Sequence, residues 1–118
     1  MDEKKRLIAV ASSDGIVVNQ HFGRAKSFLI YKIENDIPSL WEKREVKPVC
    51  EGGNHDEEKL LKNIERISDC HYLLVSRIGN GAAALAERKG IECYEIPGLI
   101  EDSINQMINY EKLKQLFM

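Results

Sequence analysis

Two short stretches concentrate side chains that could hold soft metal species. The first is Asn19-Gln20-His21-Phe22-Gly23-Arg24-Ala25. A neutral imidazole carried on a loop is a good borderline ligand, and Phe22-Gly23 predicts a sharp turn beside it. The plainer alternative is a histidine that only hydrogen-bonds its own loop. The second is Cys50-Glu51-Gly52-Gly53-Asn54-His55, where a thiol, a carboxylate and an imidazole fall close together. The two glycines let the backbone fold so that these groups converge. A helix start just after this loop would favour the Cys50 thiolate. Thiolate plus imidazole suits iron–sulfur and other thiophilic species. The alternative is an ordinary glycine-rich connection with Glu51 facing solvent.

Two further stretches carry weaker signals. In Asp69-Cys70-His71, before an apolar strand, adjacent side chains point to opposite faces. Cys70 and His71 therefore read as structural. Gly79-Asn80-Gly81-Ala82-Ala83-Ala84 matches G-x-G-x-x-A between a strand and a helix. Its N–H groups could hold an anion, with Arg77 adding a positive charge. The chain is too short for a full dinucleotide-binding domain, and tight strand-to-helix packing is the plainer reading. Cys93 reads as a strand residue sharing a face with Ile91. Three cysteines without a CxxC signal neither a disulfide framework nor a structural zinc site. No serine elbow, HExxH or P-loop is present. An enzyme with Cys50 as nucleophile and His55 or His21 as base is the remaining catalytic reading.

The chain has 118 residues, enough for one domain spanning residues 1–118. Leu, Ile, Val and Phe make up 33 of the 118 residues, above the composition of disordered chains. The net charge of −2 argues against a nucleic-acid binder working through bulk electrostatics. No apolar run approaches the roughly 20 residues of a membrane span. A cytoplasmic protein with no membrane or nucleic-acid partner is the expectation.

The elements that must position these residues follow from the apolar pattern. Leu7 to Ala11 reads as a buried strand, and Phe28 to Ile33 as a second. Asn35-Asp36 with Pro38 predicts a hairpin turn into a third strand, Leu40 to Val46. Asn54 or Asp56 caps a helix whose stripe is Leu60, Leu61, Ile64 and Ile67. Tyr72 to Val75 is wholly apolar and reads as a central parallel strand. Ala82 to Lys89 forms a helix ended by Gly90, Ile91 to Ile96 a fifth strand, and Pro97-Gly98 a turn. A last helix striped by Ile100, Ile104, Met107 and Ile108 runs to Leu116. The order is β-β-β-α-β-α-β-α, an α/β fold with a mixed five-stranded sheet. That order is the order of ribonuclease-H-like folds. The first strand lacks the carboxylate a two-metal nuclease of that fold needs, since Asp14 lies beyond it.

Taken together, Ile8-Ala9-Val10-Ala11, Gly15, Asn19-Gln20-His21-Phe22-Gly23-Arg24-Ala25, Phe28 and Tyr31 resemble the dinitrogenase iron–molybdenum cofactor biosynthesis family. That family includes NifX-like carriers and the C-terminal domain of NifB. The resemblance continues through Cys50-Glu51-Gly52-Gly53, Asp69-Cys70 and Arg77-Ile78-Gly79-Asn80-Gly81 to Gly90-Ile91-Glu92, over roughly residues 6 to 110. It implies a small ribonuclease-H-like domain that binds an iron–sulfur cluster, the iron–molybdenum cofactor or its precursor. Such a carrier would pass cargo between nitrogenase cofactor assembly proteins without catalysing a reaction. By position, His21 and Cys50 become cargo ligands, and His55 a further metal ligand. Arg24, Arg77, Gly79 and Gly81 would supplement them against an anionic cargo. The chain has no CxxxCxxC and could not build a cluster by radical chemistry. A small-anion or nucleotide-binding regulatory module using Gly79 to Gly81 is the alternative function.

Overall fold

The computed structural model describes residues 5–51, 54–55 and 57–117, the side chains of Lys5, Cys50, Glu51, Asn54 and His55 excepted. The main strands are β1 (Lys5–Val10), β3 (Ser27–Glu34), β4 (Ile37–Glu45), β7 (Tyr72–Val75) and β8 (Glu92–Glu95). Two-residue strands fill the connections: β2 (Val17–Val18), β5 (Cys50–Glu51), β6 (Asn54–His55) and β9 (Gly98–Leu99). The helices are α1 (Glu57–Arg66), α2 (Asn80–Arg88) and α3 (Ile100–Leu116). The five-stranded sheet runs β4-β3-β1-β7-β8. β1 is antiparallel to β3 and parallel to β7, and β7 is parallel to β8, so the sheet is mixed.

The central strands are buried on both faces, which explains their unbroken apolar runs. Ala9, Leu73 and Val75 point to a core with Phe28, Ile30, Ile64 and Ala86, under α1 and α2. Ile8, Val10 and Leu74 point the other way, to Ile100, Ile104 and Met107 of α3. Phe28 is fully buried and its ring meets Phe22 at 5.6 Å.

Local rules account for most boundaries. Asn35 and Asp36 both adopt positive φ, 55° and 65°, giving the two-residue turn that matches strand twist. Pro38 is not part of that turn. It lies in β4, an edge strand, where a missing N–H is tolerated. Gly90 has φ 86°, and the N–H groups of Gly90 and Ile91 reach the carbonyls of Glu87 and Ala86. This is a Schellman ending to α2.

Three expectations need correction. Asn54 is a strand residue rather than a helix cap, because Asn54–His55 pairs antiparallel with Cys50–Glu51; Asp56, the other capping candidate, lies outside the described residues. Leu61 is exposed, and Ile67 is buried just past the end of α1. Gly98 does not simply turn the chain: with φ 127° it enters β9 and pairs with Val18. Cys70 and His71 do split between inside and outside. Cys70 is buried, while exposed His71 accepts the Leu7 N–H at Nδ1 over 3.3 Å.

Arg44 on β4 forks onto Asp69 at 2.7 and 2.9 Å and donates to the Arg66 carbonyl. This ties the end of α1 to the sheet. The guanidinium holds the Asp69 carboxyl below its ordinary value of 3.8. A depressed folded pKa contributes stability above that ordinary value and loses it as pH falls through the lower folded one. The urea midpoint of the native chain should therefore fall as pH drops below ~4, and Asp69→Asn should flatten that part of the profile. In the core, Phe28→Ala should cost about 3–5 kcal/mol by urea unfolding.

Candidate functional site

β1 and β7 lie side by side and parallel, so the chain leaves both at one end of the sheet. Crevices at the carboxyl ends of parallel strands are where α/β folds bind ligands. After β1 the ladder does not stop. The Ala11 N–H reaches the Leu74 carbonyl at 2.9 Å, and the Gln20 N–H then bonds the Ala11 carbonyl at 3.3 Å. The Ser76 N–H donates to Gln20 and the Phe22 N–H to Arg77, at 3.1 and 2.9 Å. His21 and Arg77 thereby form a parallel bridge. The segment 20–22 has replaced β1 as the neighbour of the β7 extension.

The connecting loop between β1 and this segment is built by Ser12 and Asp14. Asp14 Oδ1 accepts the N–H groups of Ile16 and Val17 at 2.8 and 3.1 Å, which lowers its pKa. Ser12 Oγ accepts the Gly15 N–H at 2.9 Å. Asp14 is thus occupied in turn formation.

His21 opens a 3-10 turn, Phe22–Arg24, whose Phe22 side chain is buried and acts as its anchor. The imidazole itself is exposed. The turn also positions the second cysteine loop. The Val49 N–H donates to the Gly23 carbonyl at 2.8 Å, so the backbone of Cys50 follows one residue beyond the His21 turn. The His21 and Cys50 loops therefore share one rim. The side chains of Cys50 and His55, and Gly52-Gly53 entirely, lie outside the described residues. A hairpin separates Cys50 from α1, so the helix does not start directly after this loop.

Beside this rim lies a cleft of about 710 Å³. Its floor is apolar, with Phe22, Val49, Leu60, Leu61, Ala82 and Leu85, and its rim carries Glu57, Glu58 and Arg88. Gly79 and Gly81 line it at the start of α2. Gly79 is the N-cap in extended conformation with no side-chain cap, and a Cβ at either glycine would meet open space. Neither glycine is there for steric reasons. Arg24 and Arg77 are exposed, but neither lines the cleft. Among the described residues, no three His, Cys, Asp or Glu side chains converge as a metal cage.

Sequence reasoning missed two positioning groups. Glu95 of β8 accepts the Ile78 N–H at 2.8 Å and so holds the strand-to-helix loop. Gln20 offers both backbone groups to the sheet. Glu95 follows Cys93 by two, a spacing that signals a shared strand face but not a capping role. The missed exposure of Leu61 had no sequence signal, because its spacing fits a buried stripe.

A model of the dinitrogenase iron–molybdenum cofactor family matches residues 4–110. The chain belongs to this family. It is 39% identical over 104 residues to the FeMo cofactor biosynthesis protein NifB of Frankia alni, covering 86% of this chain and 20% of that one. It is 33% identical over 117 residues to NifB of Chlorobaculum tepidum, covering 98% of this chain and 27% of that one. Protein NifX of Sinorhizobium fredii is 33% identical over 81 residues, 65% of this chain and 51% of its own. The chain thus spans only about a fifth to a quarter of those NifB relatives. Two solved structures share the fold. PH0822 has a TM-score of 0.65 at 24% identity, covering 87% and 89% of the two chains. The NMR structure of a NifB candidate from Thermotoga has a TM-score of 0.60 at 18% identity, with 88% of each chain covered.

The described thiols differ in kind from a ligand thiolate. Burial pushes Cys70 up to about 12, and burial with the Glu87 and Glu95 charges pushes Cys93 up to about 11. Both stay protonated at neutral pH and make poor ligands or nucleophiles. Native iodoacetamide labelling at pH 7 should leave Cys70 unmodified, and labelling in denaturant should modify it. Mass spectrometry of the tryptic peptides checks this.

Proposed function

We propose that this chain is a non-enzymatic carrier of an iron–sulfur cluster, the iron–molybdenum cofactor or a precursor of it, working with nitrogenase cofactor assembly proteins. The observation that carries this reading is the hydrogen bond from Val49 to Gly23, which brings the Cys50 backbone to the rim that exposes His21. An exposed imidazole with a neighbouring cysteine gives one or two soft ligands rather than a closed cage. Few ligands and an open rim suit cargo that must be released. His55, paired with Cys50 in the hairpin register, is a further candidate ligand. The anionic cargo would be balanced by Arg24 and Arg77 and by the free N–H groups near Gly79 and Gly81. The apolar cleft floor limits water around the cargo on its other side. The strand order of the sheet supports placing the domain among ribonuclease-H-like folds.

The family membership and the naming of the NifB relatives as FeMo cofactor biosynthesis proteins support the cargo class. A second reading, a small-anion or nucleotide module, draws on the uncapped N-terminus of α2 at the cleft. Anaerobic incubation of apo protein with iron and sulfide, or with isolated cofactor, separates the two. The carrier reading expects visible absorption that co-elutes with the protein and falls by half or more in His21→Ala/Cys50→Ala. Uptake unchanged in that double variant overturns it. A thermal shift with nucleotides and none with cluster favours the second reading.

A further inference from the structure

We infer that the free edge of β8 is a docking site for an extended, basic peptide segment of a partner protein. This stands independently of the cargo reading. β8 ends the five-stranded sheet, with β7 on one side and, among the described residues, no strand on the other. The N–H groups of Glu92 and Ile96 bond the carbonyls of His71 and Val75 at 2.9 and 3.1 Å. In a parallel ladder, alternate residues face alternate neighbours. Cys93 and Glu95 therefore turn their backbone N–H and C=O groups outward, the arrangement that accepts an added strand.

The edge runs through a groove of about 500 Å³ between α2 and α3. On the α3 side, exposed Tyr110 stands edge-on to Tyr94 at 5.6 Å and offers an aromatic wall to an aliphatic side chain. The charge selects the occupant. Glu87, Glu92 and Glu95 line the groove against one cation, Lys114. Lys114 is already held by Glu92 at 3.2 Å and by Glu111 at 3.3 Å. Among the described residues, Glu87 and Glu95 have no ion pair, and Glu95 only accepts the Ile78 N–H. Two copies pairing through this edge would bring six such carboxylates together against two ammonium groups, so a second copy is disfavoured. A strand with lysine or arginine at alternate positions meets both requirements.

The test uses metal-free protein, labelled with 15N, and the capped peptide Val-Lys-Val-Lys-Val-Lys-Val as probe. Saturable amide shifts centred on residues 92–96 are expected, with the Val/Glu counterpart inert. Cys93→Pro, which removes an outward N–H and leaves the ladder to β7 intact, should abolish the shifts. Glu87→Lys, on the helix surface, should weaken binding about fivefold or more. Where Cys93→Pro fails to fold by its amide spectrum, Glu87→Lys decides alone. Absence of saturable shifts overturns the proposal, as does equal binding of the acidic peptide or binding unchanged in the folded variants. Because no metal is present, these failures leave the cargo reading to its own experiment.

Discussion

The parallel pairing of β1 with β7 is the constraint on which the rest of the molecule depends. Strands buried on both faces must satisfy every N–H and C=O within the sheet. β1 is too short to cover the β7 extension, and Gln20–Phe22 supplies the missing backbone partners to Ser76 and Arg77. The position of His21 is therefore dictated by main-chain hydrogen bonding. Its imidazole is left outside because Phe22 takes the inward place next to Phe28.

The same logic explains why the second loop arrives at this rim. Val49 is buried and its N–H closes on Gly23. A carbonyl in the 3-10 turn thus receives a donor from the segment that carries Cys50. One buried apolar residue and one backbone bond bring together two segments nearly thirty positions apart. The Ser12–Asp14 turn and the Glu95 bond to Ile78 steady the loops on either side.

The two cores have different consequences for function. The α3 face is closed by a long helix and by a polar group, Glu111, which accepts hydrogen bonds from Tyr72 and Tyr94 and pairs with Lys114. The α1–α2 face leaves a cleft between its helices, floored by apolar side chains. The cleft, the His21 turn and the Cys50 backbone thus lie on the α1–α2 side of the sheet, and α3 covers the other. The chain belongs to the cofactor family, and it matches only about a fifth of the longer NifB chain of Frankia alni.

Much of this architecture was legible in the sequence, because it rests on periodicity and local turn chemistry. Leu7 to Ala11 and Tyr72 to Val75 are apolar at every position, which only a strand buried on both faces requires. Asn35-Asp36 and Gly90 carry their backbone conformations in their residue types. The motif around His21 carries the family signature in its residue types alone. The hairpin at 50–55, the strand pairing of Gly98 and the exposure of Leu61 were not legible. The last two are set by partners distant in the chain: β9 exists because Val18 lies beside it, and Leu61 is exposed because α1 and α2 leave a cleft. Residue types and spacing determined which groups could bind cargo. Only the tertiary hydrogen bonds between separate segments decided that His21 and the Cys50 backbone share a rim, since no local rule reaches across that separation.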